Sequence, residues 1–396
     1  MSKSANVRPI MDLTSPEQKG MTNQLSASVA ALYLASILKW DVLLPTIGSP
    51  IRCPDLDTTC YRYGSFLRVD FQTLYDVHHA KSFIMSRFSI RAYSRIPDGF
   101  KRVKQHRAPC TSSGCRDTYH RLSKLYSKFA GPVVVPGPGI AAGIIDSRAD
   151  ARGVELAVLA FKESQLVSRK FEKVFKKLMQ FDEHFVALHY RFESDASVKH
   201  YTGSDAEFMV KFRTILTHKP YRAIRTIYVG GGLPLSRLLV SGPLRSFVKR
   251  FPAIHLVDKH ALGEWATHNV TFVDAAVDQL VLERANLFFG TPTSSFSSLV
   301  ALRRRIIHDA RSTMIPTPAL PGSPCESIIH AHHGQWQFEL TIPYNDCMDS
   351  DPCLRLQSVT KIRSLKVLKS CPFQGSTTGK YCTGMVATAR QCKLRR

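Results

Sequence analysis

Short apolar runs alternate with stretches of helical periodicity along most of the chain, beginning near residue 20. The first apolar face with helical spacing consists of Leu25, Val29, Leu32, Tyr33 and Ile37. A short apolar run, Val42-Leu43-Leu44, follows it and stops at Pro45. Helical spacing predicts a helix, and the run that a proline ends predicts a strand. This helix and strand form the first pair of an α/β domain.

The next part of the chain has weak periodicity. Residues 46 to 130 are rich in Arg, Tyr and Phe, which predicts loops and short elements of the same domain. The stretch from Pro132 to Gly143 contains three prolines and three glycines. Because these residues interrupt regular structure, the stretch predicts a break near a domain boundary. We therefore place an N-terminal Rossmann-like domain at residues 1–150.

The second half of the chain repeats the alternation of strands and helices, after a helical pattern that runs from Val154 to Met179. The predicted strands are Phe185 to Phe192, Thr226 to Val229, Ala253 to Val257 and Asn286 to Phe289, and helices are predicted after Pro234, from Asp274 to Arg284 and after Thr293. Repeated β-α units predict a parallel sheet with helices on both faces. We assign this second Rossmann-like domain to residues 151–316, and a Cys- and His-rich appendage to residues 317–396.

Composition adds a strong positive charge. The 396 residues include 54 Lys and Arg against 31 Asp and Glu, a formal net charge of +23 at pH 7. Such a surface attracts anions, among them nucleotide diphosphates and acidic glycans. No long tract of Lys and Arg is interleaved with aromatic residues, so nucleic acid is not an expected partner.

Ten cysteines favour disulfides and therefore an oxidising compartment. The segment from Met1 to Lys19 lacks the features of a secretion signal, and no apolar run is long enough to span a membrane. Two interpretations stay open: a cytosolic chain with reduced thiols, or a chain whose leader or anchor is missing from this sequence. We expect the second, with the protein in the lumen of the endoplasmic reticulum or Golgi. Membrane association is then expected only through the missing segment.

Three polar groups stand at alternate positions at the carboxyl end of the predicted strand from Phe185 to Phe192. Strand alternation places Val186, Leu188, Tyr190 and Phe192 on one face and His189, Arg191 and Glu193 on the other. Open α/β sheets bind ligands at the carboxyl ends of their strands, and an arginine binds phosphate through two parallel hydrogen bonds. The segment therefore predicts a phosphate site, with an ion pair between Arg191 and Glu193 as the alternative.

A second candidate site combines a helix with a hydroxyl-rich turn. The segment Gly290-Thr291-Pro292-Thr293-Ser294-Ser295-Phe296-Ser297-Ser298 follows a predicted strand and opens a helix. Free amides at a helix N-terminus, together with hydroxyls, suit a diphosphate, although hydroxyl residues also cap helices. Asp274 and Asp278 lie one helical turn apart, where they suit either hydrogen bonds to a nucleotide or plain solvent exposure.

A third candidate site opens the first predicted helix. Gly20 permits close approach of the backbone, and Asn23 can donate and accept hydrogen bonds near a pyrophosphate or sugar. An asparagine at a helix start is also a common cap.

The three segments, in this order, resemble the motifs of the GDP-fucose protein O-fucosyltransferase superfamily, including its plant O-fucosyltransferase-like branch. The matching motifs are Gly20-Met21-Thr22-Asn23-Gln24, His189-Tyr190-Arg191-Phe192-Glu193, Asp274 with Asp278, and Ser294-Ser295-Phe296-Ser297. The resemblance implies an α/β fold of GT-B type, with two Rossmann-like domains facing across a cleft. It also implies an inverting glycosyltransferase that moves fucose from GDP-fucose to a hydroxyl of a protein Ser or Thr or of a glycan.

The resemblance also implies roles for individual residues. Arg191 neutralises charge on the departing diphosphate, and Asn23 lies near the transferred sugar, beside Gly20. The nucleotide is held by His189, Asp274 and Asp278, and its phosphates are surrounded by Ser294, Ser295 and Phe296. The general base stays open between Glu193 and Asp195. Tyr190 departs from the usual Leu, a change that fits a residue facing the core.

The resemblance implies no bound metal and no cofactor, with GDP-fucose as the donor substrate. Two alternatives stay open. One is a related transferase that uses another donor, such as UDP-rhamnose, on a polysaccharide. The other is a non-catalytic protein that binds carbohydrate or a polyanion, because a fold alone does not fix a function.

Overall fold

In the computed structural model, the described residues are 7–14, 21–50, 66–103, 132–137, 151–190, 225–231, 234–240, 243–262, 272–290, 295–308 and 312–314. They form two five-stranded parallel sheets and one short hairpin.

The first sheet lies in the N-terminal part of the chain. Its strands are β1 (Ile10–Asp12), β2 (Asp41–Leu43), β5 (Ala92–Tyr93), β6 (Lys101–Arg102) and β7 (Val133–Pro136), in the order β5-β2-β1-β7-β6. The hairpin pairs β3 (Ile47–Pro50) with β4 (Phe66–Val69). The helices of this part are α1 (Met21–Leu38), α2 (Phe71–Leu74) and α3 (Val77–Phe88). The central strand β1 is buried throughout.

The second sheet has the same parallel architecture. Its strands are β8 (Phe185–His189), β9 (Thr226–Gly230), β10 (His255–Val257), β11 (Leu287–Gly290) and β12 (Ser312–Met314), in the order β10-β9-β8-β11-β12. The helices around it are α4 (Ala151–Leu159), α5 (Gln165–Phe181), α6 (Leu235–Leu238), α7 (Pro243–Arg250), α8 (Phe272–Arg284) and α9 (Ser295–His308). Because β8 is central and buried on both faces, it consists almost entirely of apolar residues.

Helices cover both faces of the second sheet, as predicted. Val186 and Leu188 of β8 pack into a core closed by α6 and α7, whereas Phe185 and Ala187 pack into a larger core with residues of α5, α8 and α9. The larger core also contains residues of α1 and of β1 from the first sheet. One continuous apolar core therefore joins the two sheets.

The first predicted helix and strand are confirmed as α1 and β2, although Ile37 is 45% exposed instead of buried. The prediction of loops and short elements for residues 46 to 130 misses helix α3. The stretch predicted as a break contains β7, which pairs with β1 at the centre of the first sheet. Strands of three or four residues bounded by Pro and Gly resemble turns in sequence, so β1 and β7 are not recognised from their pattern.

The continuous helix predicted from Val154 to Met179 is wrong, because the chain forms two helices there. The break is fixed by contacts with a distant segment: the Asp76 amide donates to the Lys162 carbonyl, and the Ser164 amide donates to the Leu74 carbonyl. The Ser164 hydroxyl then caps α5 by accepting from the Val167 amide. Apolar spacing continues across the break, so periodicity alone does not reveal it.

The appendage at residues 317–396 and all ten cysteines lie outside the described residues. The boundary predicted at residues 150 and 151 stays a prediction. Within the described part of the chain, no helix is both long and apolar enough to cross a membrane.

Candidate functional site

The strand order of the second sheet marks the end of β8 as its candidate ligand-binding edge. The chain runs from β8 outward to β9 and β10, then returns to the other side of β8 to form β11 and β12. The order therefore reverses between β8 and β11. In open parallel sheets, the crevice beyond the carboxyl ends of the strands at such a reversal is where ligands bind.

His189 ends β8 at this crevice. Its side chain is buried, and its Nδ1 shares a hydrogen bond of 2.7 Å with the Oγ of Ser297. The ring of Phe296 packs against the imidazole at a centroid distance of 4.7 Å. Ser297 is completely buried in the first turn of α9, so the contact ties the end of β8 to the start of a helix. His189 of one predicted motif thus lies against Phe296 and Ser297 of another.

The N-terminus of α9 faces the same edge of the sheet, because α9 follows β11, the parallel neighbour of β8. Backbone amides at a helix start have no partners within the helix and favour negative charge. A buried imidazole, a buried hydroxyl and a helix N-terminus therefore meet at one place. This arrangement can bind a phosphate or diphosphate.

Asp278 lies on α8, whose inner face packs beneath the same edge. Its Oδ1 accepts a 2.6 Å hydrogen bond from the hydroxyl of Tyr228, and its Oδ2 pairs with the Nζ of Lys259 at 2.5 Å. All three side chains are buried. Burial raises the pKa of the Asp278 carboxyl, whereas Lys259 and Tyr228 lower it. Both oxygens of Asp278 are therefore engaged within the protein, where they link α8 to β9 and β10.

Asp274 is one turn before Asp278 and is also buried, with 5% of its surface exposed. Solvent exposure, the alternative considered for both aspartates, is therefore wrong. A buried carboxylate needs partners, so the structural context requires both residues to be bonded. Their predicted contact with a nucleotide stays a prediction.

Two glycines, one beside each sheet, allow the ends of neighbouring strands to approach each other. A Cβ on Gly231 would lie 2.7 Å from the carbonyl oxygen of Tyr190. In the first sheet, a Cβ on Gly137 would lie 2.5 Å from Met11 and 2.9 Å from the carbonyl oxygen of Asp12. Gly231, the residue after β9, therefore permits contact between strand ends, in addition to any approach to a ligand.

The first sheet has its own order reversal at β1, between β2 and β7. Asp12 ends β1 there and is almost fully buried. Its Oδ2 lies 2.9 Å from Arg102, and its Oδ1 accepts a hydrogen bond from the Thr14 amide. These bonds fix the carboxyl end of β1 and the residues that follow it up to Thr14.

Several predicted site residues lie outside the described part of the chain: Gly20, Arg191, Glu193, Asp195 and Ser294. Asn23 and Ser295 lie in the first turns of α1 and α9, where the structure describes their backbone and not their side chains. Their roles stay predictions.

Sequence reasoning missed Lys259, Tyr228 and Asp12. A lysine two residues after a short strand looks like a surface residue, and the carboxylate that balances it is 19 positions away. Asp12 was missed because β1 itself was not recognised. Across the described residues, no group of three or more His, Cys, Asp and Glu side chains is arranged to hold a metal ion.

Neither family models nor curated protein sequences match the chain. Solved structures do. The chain is similar to POFUT1, a GDP-fucose O-fucosyltransferase, in complex with GDP, with a TM-score of 0.50, 12% identity, and coverage of 78% of this chain and 98% of that one. The complex of POFUT1 with GDP-fucose gives a TM-score of 0.51 and 13% identity over the same shares. The fucosyltransferase NodZ from Bradyrhizobium also matches, with a TM-score of 0.44 and 12% identity over 75% of this chain and 93% of that one. The likeness to POFUT1 shows that the chain has a GT-B-type fold of two Rossmann-like domains.

Proposed function

We propose that the protein is a glycosyltransferase that transfers fucose from GDP-fucose to a hydroxyl acceptor. The observation that carries this proposal is the junction of β8 and α9, where His189 bonds to Ser297 at the edge of the sheet. A strand end beside a helix N-terminus suits the diphosphate of a nucleotide sugar. The same fold in POFUT1 binds GDP-fucose, which supports this donor.

Arg191 is the residue to which we assign charge neutralisation. It comes two positions after His189, just beyond the carboxyl end of β8. Its guanidinium offers a rigid fork of donors that matches the oxygens of a phosphate. Negative charge grows on the diphosphate as the sugar leaves, so a fixed cation at this place stabilises the transition state more than the bound donor.

The proposed reaction is a single displacement. The acceptor hydroxyl oxygen attacks the anomeric carbon of fucose, the bond from that carbon to the β-phosphate oxygen breaks, and GDP leaves with the electron pair. The acceptor proton passes to a carboxylate, for which Glu193 and Asp195 are the candidates. Attack from the side opposite GDP inverts the anomeric configuration.

Calorimetric titration with GDP, UDP and ADP in the presence of a chelator tests the donor. We expect a preference for GDP, and Arg191→Ala should weaken GDP binding roughly 10- to 100-fold because charge-assisted bonds to phosphate are lost. Release of GDP from GDP-fucose should fall further than GDP affinity, since the cation acts mainly in the transition state.

Arg250→Ala is the matched control, because Arg250 is an exposed arginine at the end of α7, on the other face of the sheet. It should leave GDP affinity unchanged. A preference for UDP would contradict GDP-fucose as the donor and redirect the search to a sugar such as rhamnose. Absence of binding to all three nucleotides would contradict the transferase proposal and favour a non-catalytic glycan-binding protein.

A further inference from the structure

Helix α5 carries a straight, exposed stripe of cations. Leu166, Arg169, Lys173, Lys176 and Gln180 are all exposed and recur at intervals of three and four residues. This spacing aligns their side chains along one side of the helix. With a rise of about 1.5 Å per residue, the stripe is about 21 Å long. We call these five residues the α5 stripe.

Neighbouring cations of the α5 stripe repel one another. Arg169 and Lys173 are four residues apart, and Lys173 and Lys176 are three apart, so neighbouring side chains repel each other. The first turn of α5 contains no acidic residue, and its last turn contains no basic residue. The positive charges of the stripe therefore lie outside the last turn, where a cation interacts favourably with the helix dipole. Glu172 lies three residues after Arg169 and four before Lys176, so it offsets part of the repulsion, whereas Lys173 has no carboxylate at these spacings on α5. A bound polyanion would relieve the repulsion.

Helix α5 itself carries few opposing charges. Lys170 and Lys177 lie along one flank, half-buried, and Lys177 donates to the Leu262 carbonyl at 2.8 Å. Glu172 is exposed on the other flank. Helix α5 therefore carries five cations and a single carboxylate. No ion pair to another described residue engages Arg169, Lys173 or Lys176.

The form of the stripe favours a linear, flexible polyanion over a flat surface or a duplex. The exposed aromatic residue of α5, Phe181, is followed by Asp182 and Glu183, which would repel the phosphates of an anionic membrane. The stripe itself contains no aromatic side chain on which bases could stack. Leu166 and Gln180, at its two ends, suit the apolar face and the hydroxyls of sugar rings.

We propose that the α5 stripe is a docking surface for an acidic glycan chain, with carboxylates of successive uronate residues paired to Arg169, Lys173 and Lys176. The chain turns from α5 into β8 within three residues, so α5 extends back along the sheet toward the edge where His189 lies. A glycan held on the stripe is thus directed along the sheet toward the nucleotide crevice. This binding does not depend on the proposed fucosyl transfer.

Paired charge reversals on the full chain test the proposal. The Lys173→Glu/Lys176→Glu variant should weaken binding of a linear uronate oligosaccharide, an alginate fragment, by roughly tenfold or more, because it replaces two favourable charge contacts by repulsion. The matched control is Lys249→Glu/Arg250→Glu on α7, which changes net charge by the same amount on the opposite face of the sheet. The control should weaken binding less than twofold. Neutral dextran of equal length should not bind.

Each other outcome overturns the proposal. Equal losses in the two variants would show that the uronate responds only to net charge. An unchanged affinity in the α5 variant would show that the stripe does not bind the glycan. Loss of binding to vesicles that contain phosphatidylserine, or to a DNA duplex, with the uronate affinity unchanged, would assign the stripe to a membrane or to nucleic acid. Titration with GDP, expected to be the same in both variants, reports on the fold and tests the transferase proposal separately.

Discussion

The contact between His189 and Ser297 fixes the orientation of the imidazole at the crevice beyond β8. A histidine ring has two nitrogens, and a hydrogen bond at one of them fixes the ring plane and the tautomer. In this protein the bond is at Nδ1, and Phe296 packs against the ring. Ser297 therefore orients His189, and under the proposed function it would act on the bound diphosphate only through that imidazole.

Removing this hydroxyl should weaken nucleotide binding. We expect Ser297→Ala to lower GDP affinity about two- to tenfold, the range of one net hydrogen bond, and Ser297→Thr to restore most of it. Nitrogen-15 NMR of the imidazole should show a changed tautomer population in Ser297→Ala only. Ser36→Ala is the control, because Ser36 is a buried serine bonded to the Tyr33 carbonyl. If both alanine variants change stability alone and leave GDP affinity unaltered, Ser297 has only a structural role.

Strand alternation predicted the face of β8 on which His189 lies, because a period of two needs only local sequence. Val186, Leu188 and Tyr190 are buried together on the other face, as predicted. The partners of Asp278 could not be predicted in this way. Tyr228 reaches Asp278 from β9 and Lys259 reaches it from the segment after β10, so their contact depends on the order of the strands in the sheet.

At the scale of elements, Asp258 and Lys259 connect the end of β10 to two helices. Asp258 accepts hydrogen bonds from the amides of Leu235, at the start of α6, and of Ala261. Lys259 reaches the other way, into the core beside α8. Adjacent residues thus fix one helix on each face of the sheet.

Loss of the Lys259 ammonium should leave the Asp278 carboxylate buried beside an uncharged group. We expect Lys259→Met to lower the free energy of unfolding by about 3–5 kcal/mol at pH 7, and Lys259→Met/Asp278→Leu to recover much of it. Chemical denaturation measures both values. Lys177→Met, which leaves no carboxylate behind, should cost far less.

The free energy of unfolding of the Lys259→Met variant should also depend on pH in a defined direction. Burial already raises the pKa of Asp278, and loss of Lys259 raises it further. A carboxyl whose folded pKa lies above its unfolded pKa favours the folded state at low pH, and this contribution is lost as pH rises through the folded pKa. The deficit of the variant relative to the native chain should therefore shrink between pH 7 and pH 5. A deficit that is constant or grows would contradict the assignment of the charge to Asp278.

Elements were predictable where an apolar run stood next to a clear helical pattern. Helix α1 and the strands β2, β8, β9 and β11 were found, whereas β1, β7 and β12 were missed, although β2 and β11 are no longer than these. Short parallel strands are defined by their neighbours more than by their own sequence. The missed strands β1 and β7 form the centre of the first sheet, so the Asp12 site was hidden with them.

At the scale of the whole molecule, the segment between α4 and α5 holds the two sheets together. The Ser164 hydroxyl donates to the Thr73 carbonyl on one side, and Glu163 pairs with Arg303 of α9 on the other. Arg303 also pairs with Glu283 of α8 at 2.6 Å. Tyr75 lies beside this cluster, and burial raises the pKa of its hydroxyl. The cluster joins residues from both halves of the chain inside one core.

This cluster should make the two sheets unfold together. We expect calorimetry of the native chain to give one transition in which the calorimetric and van't Hoff enthalpies agree. Arg303→Met should lower stability by roughly 3–5 kcal/mol, because two buried carboxylates lose their cation, and should separate the transition into two.

Arg304→Met is the control for this effect. Arg304 is equally buried, but its guanidinium donates to the carbonyls of Leu282, Glu283 and Ala285, all near the end of α8. It should lower the transition temperature without dividing the transition, since its bonds stay within the second sheet's layer of helices. Two transitions in the native chain, or in both variants alike, would show that the apolar core and the Arg303 cluster do not couple the sheets. A single transition in Arg303→Met would assign the coupling to the apolar core alone, since that core by itself contains side chains from α1, α8 and α9.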